Sequence, residues 1–406
     1  MSERAKLCII SQYFLPDING DVIRLLNSLK VLRKLNLDIT IVTAFPHYPN
    51  GRIPKKYGKK LFVRERWSGL KIIRAFILPL PHEGFIKRLL LYTSFTFSSI
   101  FAILAVGKVD IVWAFSQKFF SYVTGLVLKL IYNAKLIIDI TDIWPEAIVN
   151  TGYMKNNNLM FKATKKIINF FFKMSDKITT LTKAMKDMII SRGINPYKIS
   201  IIPNVIRLSP QKIQSQQTSE KFIVMYSGNL GPNYDFKTLL KSALKLKDED
   251  ILFIIRGTGE MESYISKYIK VNQLQNLKLD RKILPKDELT KYLNKADVFL
   301  LPMKKCPYPN ASFPIKFLDY LSCGKPIICC AEGFLSNLVM RYQVGIAIPP
   351  ANPDELVKAI LTLKDSGETR EKMSKNAQLL ASRLFSFNVL EKEFSSLIRS
   401  LHNMMS

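Results

Sequence analysis

The chain has 406 residues, enough for two domains of roughly 200 residues that each bury a core. Hydrophobic residues make up 48%, which excludes a disordered chain, and 17 Gly and 20 Pro exclude a collagen-like or low-complexity one. The net charge of +28 implies a polyanionic partner, and 31 of the 60 Lys+Arg stand against only 12 Asp+Glu in residues 1–200.

A strand begins almost at once, at KLCIISQYF, with no signal-peptide apolar region before it, so a cytoplasmic location is expected. SQYFLPDINGDVIRL then puts Pro16, Asn19 and Gly20 at the first strand-to-helix turn, and Arg24 in the helix that follows. LDITIVTAF is the second strand. It runs into TAFPHYPNGR, a loop rich in aromatic residues and Pro that carries His47, one of three histidines. That histidine either faces a ligand or is structural. PHYPNGRIPKKYG reads as a loop, and LKIIRAFIL follows as a strand.

Residues 89–107, LLLYTSFTFSSIFAILAVG, carry no charge and are long enough to span a bilayer, although five Ser/Thr weaken that reading. Lys87, Arg88 and Lys108 flank them, and INFFFKMSDK adds aromatic residues beside lysines. Basic residues interleaved with apolar ones fit a face lying on an anionic membrane, so monotopic association is expected. Nucleic acid is not expected as a partner, because no zinc-finger spacing, RNP-type strand or helix-turn-helix is visible.

VDIVWAF and AKLIIDIT are strands around the helix YVTGLVLKLIY. IIDITDIWPE places Asp139, Asp142 and Glu146 at a strand's carboxyl end, where they could orient or deprotonate an acceptor hydroxyl. Trp144 could stack on a sugar; the alternative is an N-cap and a packing Trp. KITTLT and ISIIPN close the first half around a helix near KAMKDMIISRG.

The second half repeats the alternation, with strands FIVMYSG, ILFIIRG, LKLDRKI, VFLLPM, PIICC and VGIAIP between amphipathic helices. Such alternation predicts an α/β fold of parallel sheets covered on both faces, with ligands outside the carboxyl ends of the strands. YSGNLGPNYDF ends a strand in a glycine turn, where Gly228 and Gly231 let backbone N–H groups approach a phosphate and Asn229 sits between them. FIIRGTGE makes a second such turn; Arg256 there is either a phosphate contact or a surface residue at a strand end. PIKFLDYLSCGKPII is a helix with Pro314 at its start and Gly324 at its C-cap, and Lys316 and Asp319 project three apart from its first turns. They are either a surface ion pair or a site for a diphosphate and a sugar hydroxyl.

Two readings fail on the sequence. Asp248-Glu249-Asp250 precedes a strand rather than ending one, so it is a turn and not a metal site. GxGxxG is absent after the first strand, against a nicotinamide enzyme. The five cysteines lack zinc-site spacing and sit in or beside apolar strings, as buried reduced thiols would.

Taken together, SQYFLPDINGDVIRL, TAFPHYPNGR, TDIWPE, IIPNVI, YSGNLGPNYDF, ADVFLLPMK and PIKFLDYLSCGKPII resemble glycosyltransferase family 4, the retaining GT-B enzymes, over essentially the whole chain. The branch that builds O-antigen and exopolysaccharide repeat units is the most similar. The resemblance implies two Rossmann-like domains facing a cleft: an acceptor-binding, membrane-facing domain at 1–205 and a nucleotide-sugar-binding domain at 206–384. Residues 385–406 would pack back on the first domain. It further implies a diphosphate cradled by Gly228, Asn229 and Gly231, with Arg256 and Lys316 supplying charge and Asp319 on the ribose. Lys316 matches the cation of the family's P-x-K element, and Asp319 the second acid of its E-x7-E signature. Two departures stand out: the first acid of that signature falls at Ala311, and Asn229 and Tyr234 stand where many members have Arg and Lys.

Catalysis is expected from Lys316 stabilising the leaving group and from Asp142 on the acceptor side, with Gly20, Arg24, His47 and Trp144 lining that side. Retention by front-face attack needs no protein nucleophile, and no metal or other cofactor is called for beyond the nucleotide-sugar donor. A polyprenyl-phosphate-linked or glycan acceptor suits the basic first domain. The competing readings are a catalytically silent membrane-associated partner and a nucleotide-sugar epimerase of the same fold.

Overall fold

The computed structural model describes residues 4–81, 84–115, 119–206, 221–282 and 284–405. The chain divides into two compact units. One comprises Met1–Pro145, Lys155–Val205 and Phe387–Ser406; the other comprises Glu146–Met154 and Ile206–Ser386. The segment after Pro145 is thus a correction to a boundary at 205 alone, because residues 146–154 join the second unit. Most of the predicted junction, IIPNVIRLSPQKIQ, lies outside the described residues.

The first unit contains strands β1 (Lys6–Ile10), β2 (Asp38–Ala44), β3 (Phe62–Trp67), β4 (Leu70–Ala75), β5 (Ile111–Phe115), β6 (Lys135–Ile140), β7 (Lys177–Thr180) and β8 (Ile199–Ile201). In the second are β9 (Phe222–Ser227), β10 (Ile251–Arg256), β11 (Leu277–Asp280), β12 (Val298–Pro302), β13 (Ile327–Cys330) and β14 (Gly345–Ile348). The helices are α1 (Gly20–Leu32), α2 (Phe85–Ala102), α3 (Phe120–Tyr132), α4 (Glu146–Thr151), α5 (Leu159–Met174), α6 (Lys183–Ile190) and α7 (Phe236–Lys245). They continue with α8 (Glu262–Val271), α9 (Lys286–Leu293), α10 (Ile315–Ser322), α11 (Phe334–Tyr342), α12 (Pro353–Asp365), α13 (Gly367–Leu384) and α14 (Phe387–His402).

The first sheet has the order β3-β4-β2-β1-β5-β6-β7-β8, parallel except for β3 with β4. The second is wholly parallel, in the order β11-β10-β9-β12-β13-β14. Both are doubly wound. Strand order reverses between β1 and β5 in one and between β9 and β12 in the other, and a doubly wound sheet opens a crevice at such points.

Residues 62–67 form a strand between the loop PHYPNGRIPKKYG and the strand LKIIRAFIL, where the sequence singled out no element. FVRERW is an edge strand whose alternating charges hide its periodicity, and it is paired through a two-residue turn at Ser68 (φ 49) and Gly69 (φ 84). Positive φ at both turn positions matches the twist of the flanking strands. Arg74 Nε donates to Glu65 Oε2 at 2.6 Å across the pair.

Each unit has its own core. The first draws Leu390, Phe394, Leu397, Ile398 and Leu401 from α14, with the Phe394 ring edge-on to Trp113 at 5.4 Å. The inner side of α2 is buried through Leu91, Tyr92, Phe95, Ser98 and Ser99, and Ser98 Oγ donates to the carbonyl of Phe76. Segment 86–105 is long and apolar enough to cross a membrane, yet 39% of its most apolar window is buried within the protein. Asp248-Glu249-Asp250 is a turn, in which Glu249 pairs with Lys364 at 2.6 Å.

Candidate functional site

In the second unit the switch point falls where β9 ends at Ser227, and the chain turns through Gly228 at φ +141. A Cβ at 228 would lie 2.7 Å from Lys316 Cε, so the lysine occupies the space that glycine leaves open. The adjoining turn after β10 is built against it. Gly257, at φ +137, takes a conformation that L side chains rarely adopt, and its missing Cβ would collide with the Gly228 carbonyl. Gly228 N donates to Arg256 O at 2.9 Å and Leu230 N to Thr258 O at 2.9 Å, locking the two glycine turns together.

Lys316 enters from the first turn of α10 and is buried. Its Nζ donates to Tyr226 Oη at 2.6 Å, and that hydroxyl donates onward to the carbonyl of Asn229 at 2.6 Å. The Tyr234 ring centroid lies 3.5 Å from the same Nζ. Burial pushes the Lys316 pKa well below its usual value, and the Asp319 carboxylate opposes that shift. Asp319 itself is exposed one turn further along α10. Asn229 is exposed and Gly231 buried in the turn.

Arg256 is not the surface residue that a strand-end position allowed. It is buried at the end of β10, its Nη2 donates to Lys282 O at 2.7 Å, and its guanidinium lies 5.6 Å from the Tyr292 ring. Its Nη1 reaches Ser227 Oγ at 3.4 Å, and its buried Nε has no hydrogen-bond partner. Burial alone would raise Asp280 beside it, but bonds from Tyr292 and Lys282 N–H, with Arg256, hold that carboxyl below the usual range.

The first unit places its candidate residues in two groups. Gly20 opens α1 behind Asn19, whose Oδ1 accepts from Val22 N at 3.0 Å. Arg24, one turn on, is not available to a ligand. Its Nε and Nη2 grip Asp139 at 3.0 and 2.8 Å, and Nη1 donates to Ile202 O and Asn204 Oδ1, both at 3.1 Å. Asp139 also accepts from Thr179 Oγ1 at 2.5 Å, so both members of the pair are structural.

His47 is buried in the other group, stacked on Tyr13 at 5.3 Å. Its Nδ1 lies 2.8 Å from Phe45 O and 3.5 Å from Asp17 Oδ2. Burial lowers its pKa, while the contact with the Phe45 carbonyl and the Asp17 charge oppose this. Asp142 and Trp144 follow β6 and are partly exposed; the Trp144 carbonyl accepts from Arg192 Nη2 at 2.9 Å. Two residues on, the chain passes into the second unit, where Asn150 Nδ2 donates to Tyr308 O at 2.7 Å and Tyr308 N returns a bond to Asn150 Oδ1 at 3.2 Å. The grip of Tyr226 and Tyr234 on Lys316 was not legible in the sequence, where one looks like a core residue and the other like a loop residue.

Residues 18–209 match the family profile described as Glycosyltransferase Family 4, and residues 209–380 match that of Glycosyl transferases group 1. The chain belongs to glycosyltransferase family 4. Among curated relatives it is similar to WcaI of Escherichia coli strain K12, assigned by name to colanic acid biosynthesis as a glycosyl transferase. They share 23% identity over 80% of this chain and 83% of WcaI. It is likewise 23% identical to the glycosyltransferase MJ1069 of Methanocaldococcus jannaschii, over 98% of this chain and all of the relative. Among solved structures, sucrose-phosphate synthase from Thermosynechococcus elongatus superposes with a TM-score of 0.78 at 16% identity, covering 99% of this chain and 100% of that one. HepE from Anabaena, solved in complex with UDP, gives 0.68 at 14% identity over 98% and 100%. The two doubly wound units are therefore those of the GT-B fold.

Proposed function

We propose that this glycosyltransferase is a retaining enzyme of surface-polysaccharide assembly. It moves a sugar from a nucleoside-diphosphate donor on the second unit to a polyprenyl-phosphate-linked or other glycan acceptor on the first. The observation that carries the reading is the Lys316 ammonium held against the Gly228 turn at the switch point of the second sheet. Breaking the anomeric C–O bond loads charge onto the departing diphosphate, and a fixed cation with backbone N–H groups at a helix N-terminus stabilises that charge without reorganising. Arg256, whose buried Nε has a donor to spare, adds a second cation at the same sheet edge. Asp319, exposed beside Lys316, is the group for the ribose hydroxyls.

Front-face attack by the acceptor hydroxyl retains configuration with no covalent protein intermediate. Asp142 orients that hydroxyl, and Gly20, His47 and Trp144 line the acceptor side. With cations of the chain on the diphosphate, no metal is needed for the leaving group. The colanic acid role in the name of WcaI and the UDP in HepE support the polysaccharide setting and a nucleotide donor.

The enzyme works as a peripheral protein on the cytoplasmic face of an anionic membrane. Ile86, Leu90, Phe97, Phe101 and Leu104 form one exposed apolar stripe along and just beyond α2. On α5, exposed Met160, Ile167 and Phe170 lie beside exposed Lys162, Lys166 and Lys173. The helices α2, α3 and α5 pack in series, through Ser99 Oγ and Thr124 Oγ1 at 2.8 Å and Lys129 Nζ to Met174 O at 2.9 Å.

Replacing Lys316 with Ala should lower turnover with a lipid-linked acceptor by at least about a hundredfold while the chain stays folded. Near-normal turnover would remove the lysine from the mechanism. Buried Ala311, in place of the first signature acid, is what favours the silent-partner reading. That reading requires that no UDP-, GDP- or ADP-sugar raise the melting temperature of the wild-type chain. Interconversion of the donor sugar without acceptor would instead identify an epimerase.

A further inference from the structure

Lys316 is a buried cation with no carboxylate within ion-pair distance among the described residues. Such a group normally sheds its proton or finds an anion. Here its surroundings are two tyrosines. Nζ lies 3.5 Å from the centroid of the Tyr234 ring and 4.5 Å from that of Tyr226, and it donates to Tyr226 Oη at 2.6 Å. The rings meet edge-on at 5.4 Å, with Phe236 packed against both.

Both tyrosines are tied to the backbone around the glycine turn. The Tyr226 hydroxyl donates to Asn229 O, inside the turn itself. Tyr234 is bridged to Met303 beyond the end of β12, and its neighbours fasten the same segment: Asp235 N donates to Pro302 O at 2.7 Å and Lys304 N to Asn233 O at 3.0 Å. One phenol therefore couples the lysine to the turn, and one ring face covers it.

We propose that Tyr226 and Tyr234 are positioning residues that hold the Lys316 ammonium over the Gly228 turn, in place of a carboxylate, so that its charge stays unneutralised for an incoming diphosphate. This rests on the diphosphate site proposed above. A carboxylate partner would have to be displaced by the phosphate. A ring quadrupole favours the cation yet leaves its N–H donors free to turn toward an anion. Burial works against the charged form, and the Asp319 carboxylate, beyond ion-pair distance, opposes that shift. The Tyr226 hydroxyl accepts from the ammonium and the Tyr234 ring faces it, contacts that favour the charged form.

The test uses the full chain with 13Cε-labelled lysine, the Lys316 resonance being the one lost in Lys316→Met. Tyr234→Leu and Tyr226→Phe should each move the Lys316 titration to lower pH, whereas Tyr234→Phe, which keeps the ring, should leave it in place. In parallel, UDP, GDP and ADP are titrated calorimetrically at the pH where Lys316 is half-protonated in the unmodified chain. The nucleotide that binds should bind about three- to thirtyfold more weakly to Tyr234→Leu and about as well to Tyr234→Phe. A titration unmoved in both Tyr234→Leu and Tyr226→Phe overturns the proposal, as does equal loss of binding in Tyr234→Phe and Tyr234→Leu. If Tyr234→Leu does not fold, Tyr226→Phe, which removes a single oxygen, decides alone. Should none of the three nucleotides bind wild type while the titrations shift as expected, the diphosphate site falls and the tyrosine cradle stands.

Discussion

Arg24 and Lys316 are 4% and 8% exposed, and their neighbours decide what each can do. Arg24 meets a carboxylate with matching fork geometry and two carbonyl-type acceptors, so its charge is spent inside the first unit. Lys316 meets aromatic rings and one hydroxyl, the setting that the proposed diphosphate site requires. Spacing on α1 and α10 gives both residues a plausible site role. Only the partner distinguishes them, and the partner of Arg24 lies 115 positions away in sequence. Removing Asp139 alone should therefore destabilise the first unit by about 3–5 kcal/mol, because it strands a buried guanidinium. Urea denaturation of Asp139→Ala should show a lower midpoint, and the double variant Arg24→Met/Asp139→Leu should recover most of the loss. An unchanged midpoint in Asp139→Ala would mean the pair is not a structural element.

At the scale of elements, most of the alternation was legible because buried parallel strands such as FIVMYS and ILFIIR are near-continuous apolar runs. β3 was not, since FVRERW carries three charges on an edge strand and takes its place only by pairing with β4. α14 illustrates the opposite case. Its apolar positions are evident in the sequence, but which core they enter is set by the return of the chain to the first unit. A chain ending at Ser386 would strip Leu390, Phe394, Leu397, Ile398 and Leu401 from that core and expose the faces of Trp113 and α1 that they cover. Burial of each such side chain is worth about 1.5–3 kcal/mol, so the truncated first unit should not fold stably. Circular dichroism melts and solubility report this directly; a cooperative transition at the wild-type temperature would contradict it.

For the whole molecule, the proposed membrane attachment draws on the charge of +28 and on the exposed stripes on α2 and α5. Vesicles containing anionic lipid should sediment the protein at low salt, and raising ionic strength toward 0.5 M should release much of it as the Debye length shrinks to about 4–5 Å. Equal binding to neutral vesicles would show that charge does not guide the attachment. The sequence by itself determined the fold class, the family and the two glycine turns. Those follow from local periodicity, turn chemistry and motif order, which need no long-range contact. Tertiary structure alone decided which buried cation is paired with a carboxylate, that residues 146–154 join the second unit, and that β3 exists. Each of those depends on burial and on partners distant in the chain, and those partners set whether a buried charge is paired, as Arg24 is, or meets only a hydroxyl and aromatic rings, as Lys316 does.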